Sequence, residues 1–403
     1  MMGRLQALAA WWLLAATPSL LVAGARHHSQ EHAASSRDLL RHLRETQSRS
    51  QSSDVLESNP SGPRLVACTL VKNELPYVVE WVEFHRLQGF SRIVIYDDSS
   101  DDNIALLETL YREHGHDYLR VEKGKEDDSA SMRQAHAAAH CHEHYSQEAD
   151  WMINLDIDEY VWSPVHEHLP DFFAREVPSS LHIMYVGATR FGWGGQRRRF
   201  TYTLDPVRDA GASGASVQLL NPNGVQLVTQ THFKRAADKR FGEPEELIED
   251  NWEYCRNLKG IWSPCTNDYD EKFGKTFVRA AESTGVWTHG GGVDTPEGKA
   301  KLVNGNDMHS DLCPPVICER ADVNRLHIYH FRSPSMEDAA KKSKEWAELQ
   351  SAIFTDDGQS DEVYEQATFF FNQVRDISMA RFGKRLAQRV SDLLTVAPGP
   401  RRT

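Results

Sequence analysis

Between Leu65 and Leu155 the chain alternates strand-length apolar runs with helix-spaced patterns, and few folds tolerate that rhythm. Leu65-Val66-Ala67-Cys68-Thr69-Leu70-Val71 has the near-continuous apolar character of a strand covered on both faces. Pro76 suits the first turn of a helix in which Val78, Trp81, Val82 and His85 recur at helical spacing, closing at Gly89. A strand Arg92 to Tyr96 then runs into the acidic loop Asp97-Asp98-Ser99-Ser100-Asp101-Asp102. After it come a helix from Ile104 to His114 ending at Gly115, a strand near Tyr118 to Val121, an Ala-rich helix from Ser131 to about Glu148, and a strand Trp151 to Leu155. The alternation predicts an α/β domain with a doubly wound, mostly parallel sheet.

In such sheets ligands sit outside the carboxyl ends of the strands. Lys72-Asn73-Glu74, Asp97-Asp98 and Asp156-Ile157-Asp158-Glu159 each follow a predicted strand, so three polar clusters are expected at one edge. Asp156 and Asp158 are two residues apart in an extended run, so their carboxylates project to the same side and can share one hard divalent cation. Such a cation could bridge two phosphate oxygens. The bland alternative is a solvated acidic turn, against which stand the apolar flanks Trp151 to Leu155 and Tyr160-Val161-Trp162. Asp97 and Asp98 can accept from a ribose hydroxyl or a base N–H, or Asp98 to Asp102 can cap the helix near Ile104. His330, or else His289, is the candidate further metal ligand, although each stands among aromatic residues in the manner of a packed histidine. Lys275, Arg279, Arg332, Lys341 and Lys342 are candidate counter-charges for a diphosphate, with solvation at the surface the alternative for each. No G-x-S-x-G or HExxH is present, and Gly192-Trp193-Gly194-Gly195 lacks the ending of a phosphate-binding P-loop.

The 403 residues carry 45 Lys and Arg against 58 Asp and Glu, a formal charge of -13, which argues against nucleic acid as a partner. Leu5 to Ala25 is apolar and uncharged. Two readings stay open: an uncleaved signal-anchor helix that makes a single-pass membrane protein with a luminal body, or a signal peptide cleaved near Ala23-Gly24-Ala25 and a secreted product. The expected divisions are 1–25 for that segment, 26–63 for a polar stem, 64–398 for one folded domain split into halves 64–164 and 165–398, and 399–403 for a tail. Both readings imply an oxidising compartment, where Cys255 with Cys265 and Cys313 with Cys318 are the plausible pairs and Cys68 and Cys141 read as buried thiols. Further on, strands are expected at Leu181 to Tyr185 and Thr276 to Arg279, and helices at Met336 to Leu349 and about Glu362 to Leu394.

The ordered set Lys72-Asn73-Glu74 with Glu80-Trp81 and His85, Tyr96-Asp97-Asp98-Ser99-Ser100-Asp101, Asp156-Ile157-Asp158-Glu159-Tyr160, Phe191-Gly192-Trp193-Gly194-Gly195, Lys275-Thr276-Phe277-Val278-Arg279 and His330-Phe331-Arg332 resembles glycosyltransferase family 92. The resemblance implies a GT-A type domain and an inverting transfer from a UDP-sugar, with galactose favoured, to a glycan or glycoconjugate acceptor in the Golgi lumen, with Mn2+ or a similar cation. It puts Asp156 and Asp158 on the metal motif, Asp97 and Asp98 on the nucleoside-contacting acids, and His330 on a His-aromatic motif; Lys72, Glu74 and Lys275 lie in the matching stretches and are carried as donor-site candidates. Inversion requires a base for the acceptor proton, and Glu159, Glu249, Asp250 and Asp294 are its candidates. The chain departs from the family pattern at Trp193, in the apparent insertion Arg235 to Phe273, and in reading His-Phe-Arg. The rival from another class is a catalytically inactive luminal protein of the same fold that binds a metal or a glycan.

Overall fold

The computed structural model describes residues 62–126, 129–191, 196, 198–207, 216–230, 233–234, 274–303, 305–308, 310–331, 334–335, 337–338, 341, 374–375 and 378–394. All belong to the compact unit Pro60–Thr403. The anchor or signal segment, nearly all of the stem, Gly192 to Gly195, all of Arg235 to Phe273 (with Glu249, Asp250, Cys255 and Cys265), most of Met336 to Leu349 and the tail lie outside the described residues. Among those described, no helix is long and apolar enough to cross a membrane.

The first half follows the predicted rhythm: β1 (Leu65–Val71), α1 (Leu75–Leu87), β2 (Arg92–Asp97), α2 (Leu107–Glu113), β3 (Leu119–Lys123), α3 (Ala130–Tyr145) and β4 (Trp151–Asn154). The second half holds β5 (Glu159–Trp162), α4 (Leu169–Glu176), β6 (Ile183–Val186), β7 (Ala188–Arg190), β8 (Thr203–Val207), β9 (Ser216–Leu220), β10 (Phe233–Lys234) and β11 (Lys275–Arg279). It continues with β12 (Ser283–Val286), β13 (Gly291–Thr295), β14 (Gly298–Leu302), β15 (Cys318–Arg320), β16 (His327–His330), β17 (Val374–Arg375) and α5 (Ala380–Leu393).

Among the described residues the main sheet has seven strands in the order β15-β6-β11-β4-β1-β2-β3. Strands β4, β1, β2 and β3 run parallel, whereas β11 enters antiparallel between β4 and β6. Side chains alternate faces along a strand, and β1 divides accordingly. Leu65, Ala67 and Val71 join α1 and α2 in one buried cluster. Val66 and Cys68 join Ala137 and Cys141 of α3 in the other. The sheet is therefore doubly wound and mostly parallel, as the GT-A-like expectation required.

The structure departs from the sequence expectation at two places. Cys68 and Cys141 are a disulfide, because the even-numbered face of β1 is the one α3 covers. Asp102 caps a different helix from the one foreseen: its Oδ2 accepts from the Leu75 N–H at 2.9 Å, at the start of α1. The turn Ile104–Leu106 instead starts from Asn103 in a left-handed conformation (φ 59°) with no side-chain cap. Cys313 pairs with Cys318 as expected. Gly89 has φ 94°, and a Cβ there would meet Pro170 Cδ at 2.7 Å, so the chain reverses after α1 where a larger residue would be strained and crowded.

A three-stranded sheet lies beside the main one, with β16 between β5 (antiparallel) and β7 (parallel). Its register sets His330 opposite Glu159. The three-stranded sheet β12-β13-β14 adds Val286, Val293, Ala300 and Leu302 to the buried cluster on the α3 side. Helix α5 packs on α1 through Phe382 and Phe84, whose ring centroids are 5.4 Å apart, and through an Arg389–Glu83 ion pair at 2.5 Å.

Candidate functional site

The acidic turn begins where β4 ends. Leu155 still donates to the Cys68 carbonyl at 2.9 Å, and Glu159 donates to the Asp156 carbonyl at 3.0 Å, closing the turn that launches β5. Asp156 is held at both oxygens: Gln134 Nε2 of α3 donates to Oδ1 and Lys275 Nζ of β11 donates to Oδ2, each at 2.8 Å. Its own N–H donates to Glu159 Oε2 at 2.9 Å. Lys275 is fully buried and lies 3.3 Å from that same Glu159 oxygen. On the other side of the turn, His330 Nε2 is 3.3 Å from Asp158 Oδ1, and the Phe331 N–H donates to the Asp158 carbonyl at 2.7 Å. His330 Nδ1 is 4.0 Å from Glu159 Oε1. His289 donates from Nδ1 to the Gly274 carbonyl at 3.1 Å.

Burial opposes ionisation of all the groups around Lys275. For Asp156 the Lys275 ammonium outweighs it and holds the carboxyl below its ordinary range. For Glu159 burial wins over Lys275, with the charges of Asp156 and Asp158 adding to it, and its pKa is raised. Lys275 is itself pushed up, because its two carboxylate neighbours overcome its desolvation. Burial, followed by the nearby Lys275 charge, lowers His289 to about 4, so its imidazole is neutral at neutral pH.

The other motif residues turn out to be supports. Trp81 Nε1 donates to the Glu159 carbonyl at 2.8 Å, and His85 Nε2 accepts from Val161 N–H at 3.4 Å while Nδ1 donates to the Trp81 carbonyl at 2.8 Å. Helix α1 thereby holds the strand that follows the acidic turn. Glu80, fully buried, accepts from the N–H groups of Val228 and Thr229, the latter at 2.9 Å. Asn73, left-handed at φ 56°, stitches the first strand end to the second: its N–H donates to Ser100 Oγ at 3.0 Å and its Oδ1 accepts from Asp101 N–H at 2.7 Å.

The predicted site residues divide clearly. Asp156, Asp158, Glu159, Lys275 and His330 come together, with His289 close enough to feel the charges of Lys275 and Asp156. Lys72, Glu74, Asp97 and Asp98 occupy the neighbouring strand ends. Lys72 is exposed, Glu74 pairs with Arg199 at 2.9 Å, Asp97 Oδ1 accepts from Ser100 N–H at 2.8 Å, and Asp98 pairs with Arg133 at 2.8 Å. Asp294 is an exposed partner of Lys299 at 2.8 Å across the β13–β14 hairpin, a solvated pair rather than a group of the buried cluster. Arg133, Gln134 and Arg199 were missed. A signal existed for the first two, since a helix that follows a strand of a parallel sheet starts at the carboxyl edge and its first polar residues face the same region.

Among the described residues no group of three or more His, Cys, Asp or Glu side chains is arranged as a ready metal cage. Carboxylate and imidazole are donor types that a divalent cation takes, and Asp158 with the His330 ring 3.3 Å away, two residues from Asp156, is where this chain brings them together.

Residues 66–185 match the family model of glycosyltransferase family 92. A glycosyltransferase family 92 protein of Arabidopsis thaliana is 30% identical over 103 residues, covering 25% of this chain and 17% of its own length. Another from Oryza sativa subsp. japonica is 29% identical over 180 residues, covering 42% of this chain and 30% of its own. The chain thus spans under a third of the length of these curated relatives. A mannosyltransferase from Pyrobaculum calidifontis, solved in complex with GDP-Man and Mn2+, aligns with a TM-score of 0.25 and 18% identity over 37% of this chain and 42% of that one. The family resemblance read from the ordered motifs is borne out over the matched residues, which include the acidic turn; Lys275, His289 and His330 lie beyond them.

Proposed function

We propose that this chain, a glycosyltransferase family 92 relative across residues 66–185, transfers a sugar from a UDP-sugar, with galactose favoured, to a glycan acceptor with inversion. The observation that carries the reading is the meeting of Asp156, Asp158 and His330 at the carboxyl edge of β4, with Lys275 behind them. This is the edge where ligands of parallel sheets bind.

Asp156 and Asp158, with His330 beside them, would hold the cation. When bound, a Mn2+ ion there would neutralise charge on the leaving diphosphate. The chain's own residues do the rest. The strand ends carrying Lys72, Asp97 and Asp98 border the space where the nucleoside would lie. In the reaction the acceptor oxygen bonds to the anomeric carbon as the bond to the diphosphate oxygen breaks, and the acceptor proton passes to a base. Glu159 is already committed to Lys275 and the Asp156 N–H, which disfavours it for that role. Two disulfides support a body placed in an oxidising lumen, consistent with a Golgi membrane protein anchored near its N-terminus or a secreted one.

A donor screen with UDP-galactose, UDP-glucose, UDP-N-acetylglucosamine and GDP-mannose against a glycan array, with and without Mn2+, tests this. The expected result is metal-dependent product from a UDP-sugar with inverted anomeric configuration by NMR. Metal-independent product, retention, or no turnover of any donor across the array overturns it; binding without turnover would favour the inactive luminal protein.

A further inference from the structure

We infer that Gln134 and Lys275 are positioning residues that clamp the first acid of the turn, Asp156, by occupying one of its oxygens each. The inference rests on the proposed reading of the site. The two donors reach Asp156 from opposite directions in the chain, Gln134 from α3 and Lys275 from β11, both at 2.8 Å. The Asp156 N–H is fixed on Glu159 Oε2 at 2.9 Å, so the carboxylate and the backbone of the residue are both held.

Each donor is itself anchored. Helix α3 is joined to β1 by the Cys68–Cys141 disulfide, seven residues from Gln134 along the helix. Lys275 follows Gly274, where a Cβ would lie 1.9 Å from the Val186 carbonyl oxygen, so the close backbone approach that seats Lys275 requires glycine. The Gly274 N–H donates to Tyr185 Oη at 2.6 Å and its carbonyl accepts from His289. Lys275 has no exposed surface and its ammonium contacts two carboxylates, so it acts on the reaction through Asp156 rather than by touching a diphosphate. Groups that orient a metal ligand without touching the metal affect its affinity strongly.

The test measures Mn2+ affinity of the full chain by electron paramagnetic resonance, with UDP present, alongside thermal stability. Gln134→Leu removes the donor from a half-buried helix position and is expected to weaken Mn2+ binding about tenfold with Tm unchanged. Lys275→Arg, which keeps charge and donors, is expected to lose less than Lys275→Met. Wild-type Mn2+ affinity in Gln134→Leu at unchanged Tm overturns the clamp while leaving the proposed function standing. Failure of the wild-type chain to bind Mn2+ with UDP overturns both.

Discussion

At the scale of the residue, Lys275 decides the character of the site. It is a buried cation between two carboxylates, and removing one partner from such a group leaves uncompensated charge in the core. Lys275→Met is therefore expected to lower stability by about 3–5 kcal/mol, read by chemical denaturation, and a loss below about 1 kcal/mol would contradict its pairing with Asp156 and Glu159. The acids of the turn were legible in sequence, because a D-x-D triplet directly after a buried strand has a known position in an α/β sheet. The role of Lys275 was not. It reads as a diphosphate contact until the antiparallel pairing of β11 with β4 turns it toward Asp156, and strand direction leaves no mark on an apolar run. Gln134 was hidden for a similar reason, since an uncharged side chain in an Ala-rich helix carries no signal apart from its place in the first turns.

Among elements, α1 and α3 are the two that connect core to site. Helix α1 holds the strand after the turn through Trp81, and Trp81→Phe is expected to cost about 1 kcal/mol by loss of its hydrogen bond to the Glu159 carbonyl. Helix α3 depends on the Cys68–Cys141 bridge, which spans 73 residues. Closing a loop of that size constrains the unfolded chain by about 4 kcal/mol, so Cys141→Ala is expected to lower Tm far more than Cys318→Ala, whose bridge spans only 5 residues. Peptide mapping without reduction should recover a Cys68–Cys141 linked pair; two free thiols would contradict the packing of α3 on β1. The alternation from β1 to β4 was readable because helix and strand periods differ and glycines mark the stops. The β5-β16-β7 sheet was not, since its short strands come from the distant stretches Glu159–Trp162, His327–His330 and Ala188–Arg190.

For the whole molecule, α1 also sets opposing responses to pH. His85 is buried with Nδ1 donating and Nε2 accepting, an arrangement only the neutral ring can make, and burial lowers it to about 3. The unfolded chain takes up that proton near pH 6.5 and the folded chain does not, so stability is lost as pH falls from about 6.5 toward 3. Burial raises Glu80 to about 7 despite the two backbone N–H groups it accepts. Its contribution has the other sign, full below about 4.5 and lost as pH rises through 7. Between pH 4.5 and 6.5 the two slopes oppose one another. Denaturation midpoints of His85→Gln should therefore fall with rising pH relative to wild type, and those of Glu80→Gln should rise; identical slopes in all three proteins would contradict the burial of both groups.

In the proposed reaction the acidic turn holds the cation that serves the donor diphosphate. The direct measurement is UDP release from UDP-galactose by the full chain, titrated with Mn2+, in wild type and in Asp158→Asn. Release is expected to saturate with Mn2+ and to fall about a hundredfold or more in Asp158→Asn with Tm preserved. Release in Asp158→Asn at the wild-type rate, or release in both proteins that ignores Mn2+ and chelator alike, would contradict it.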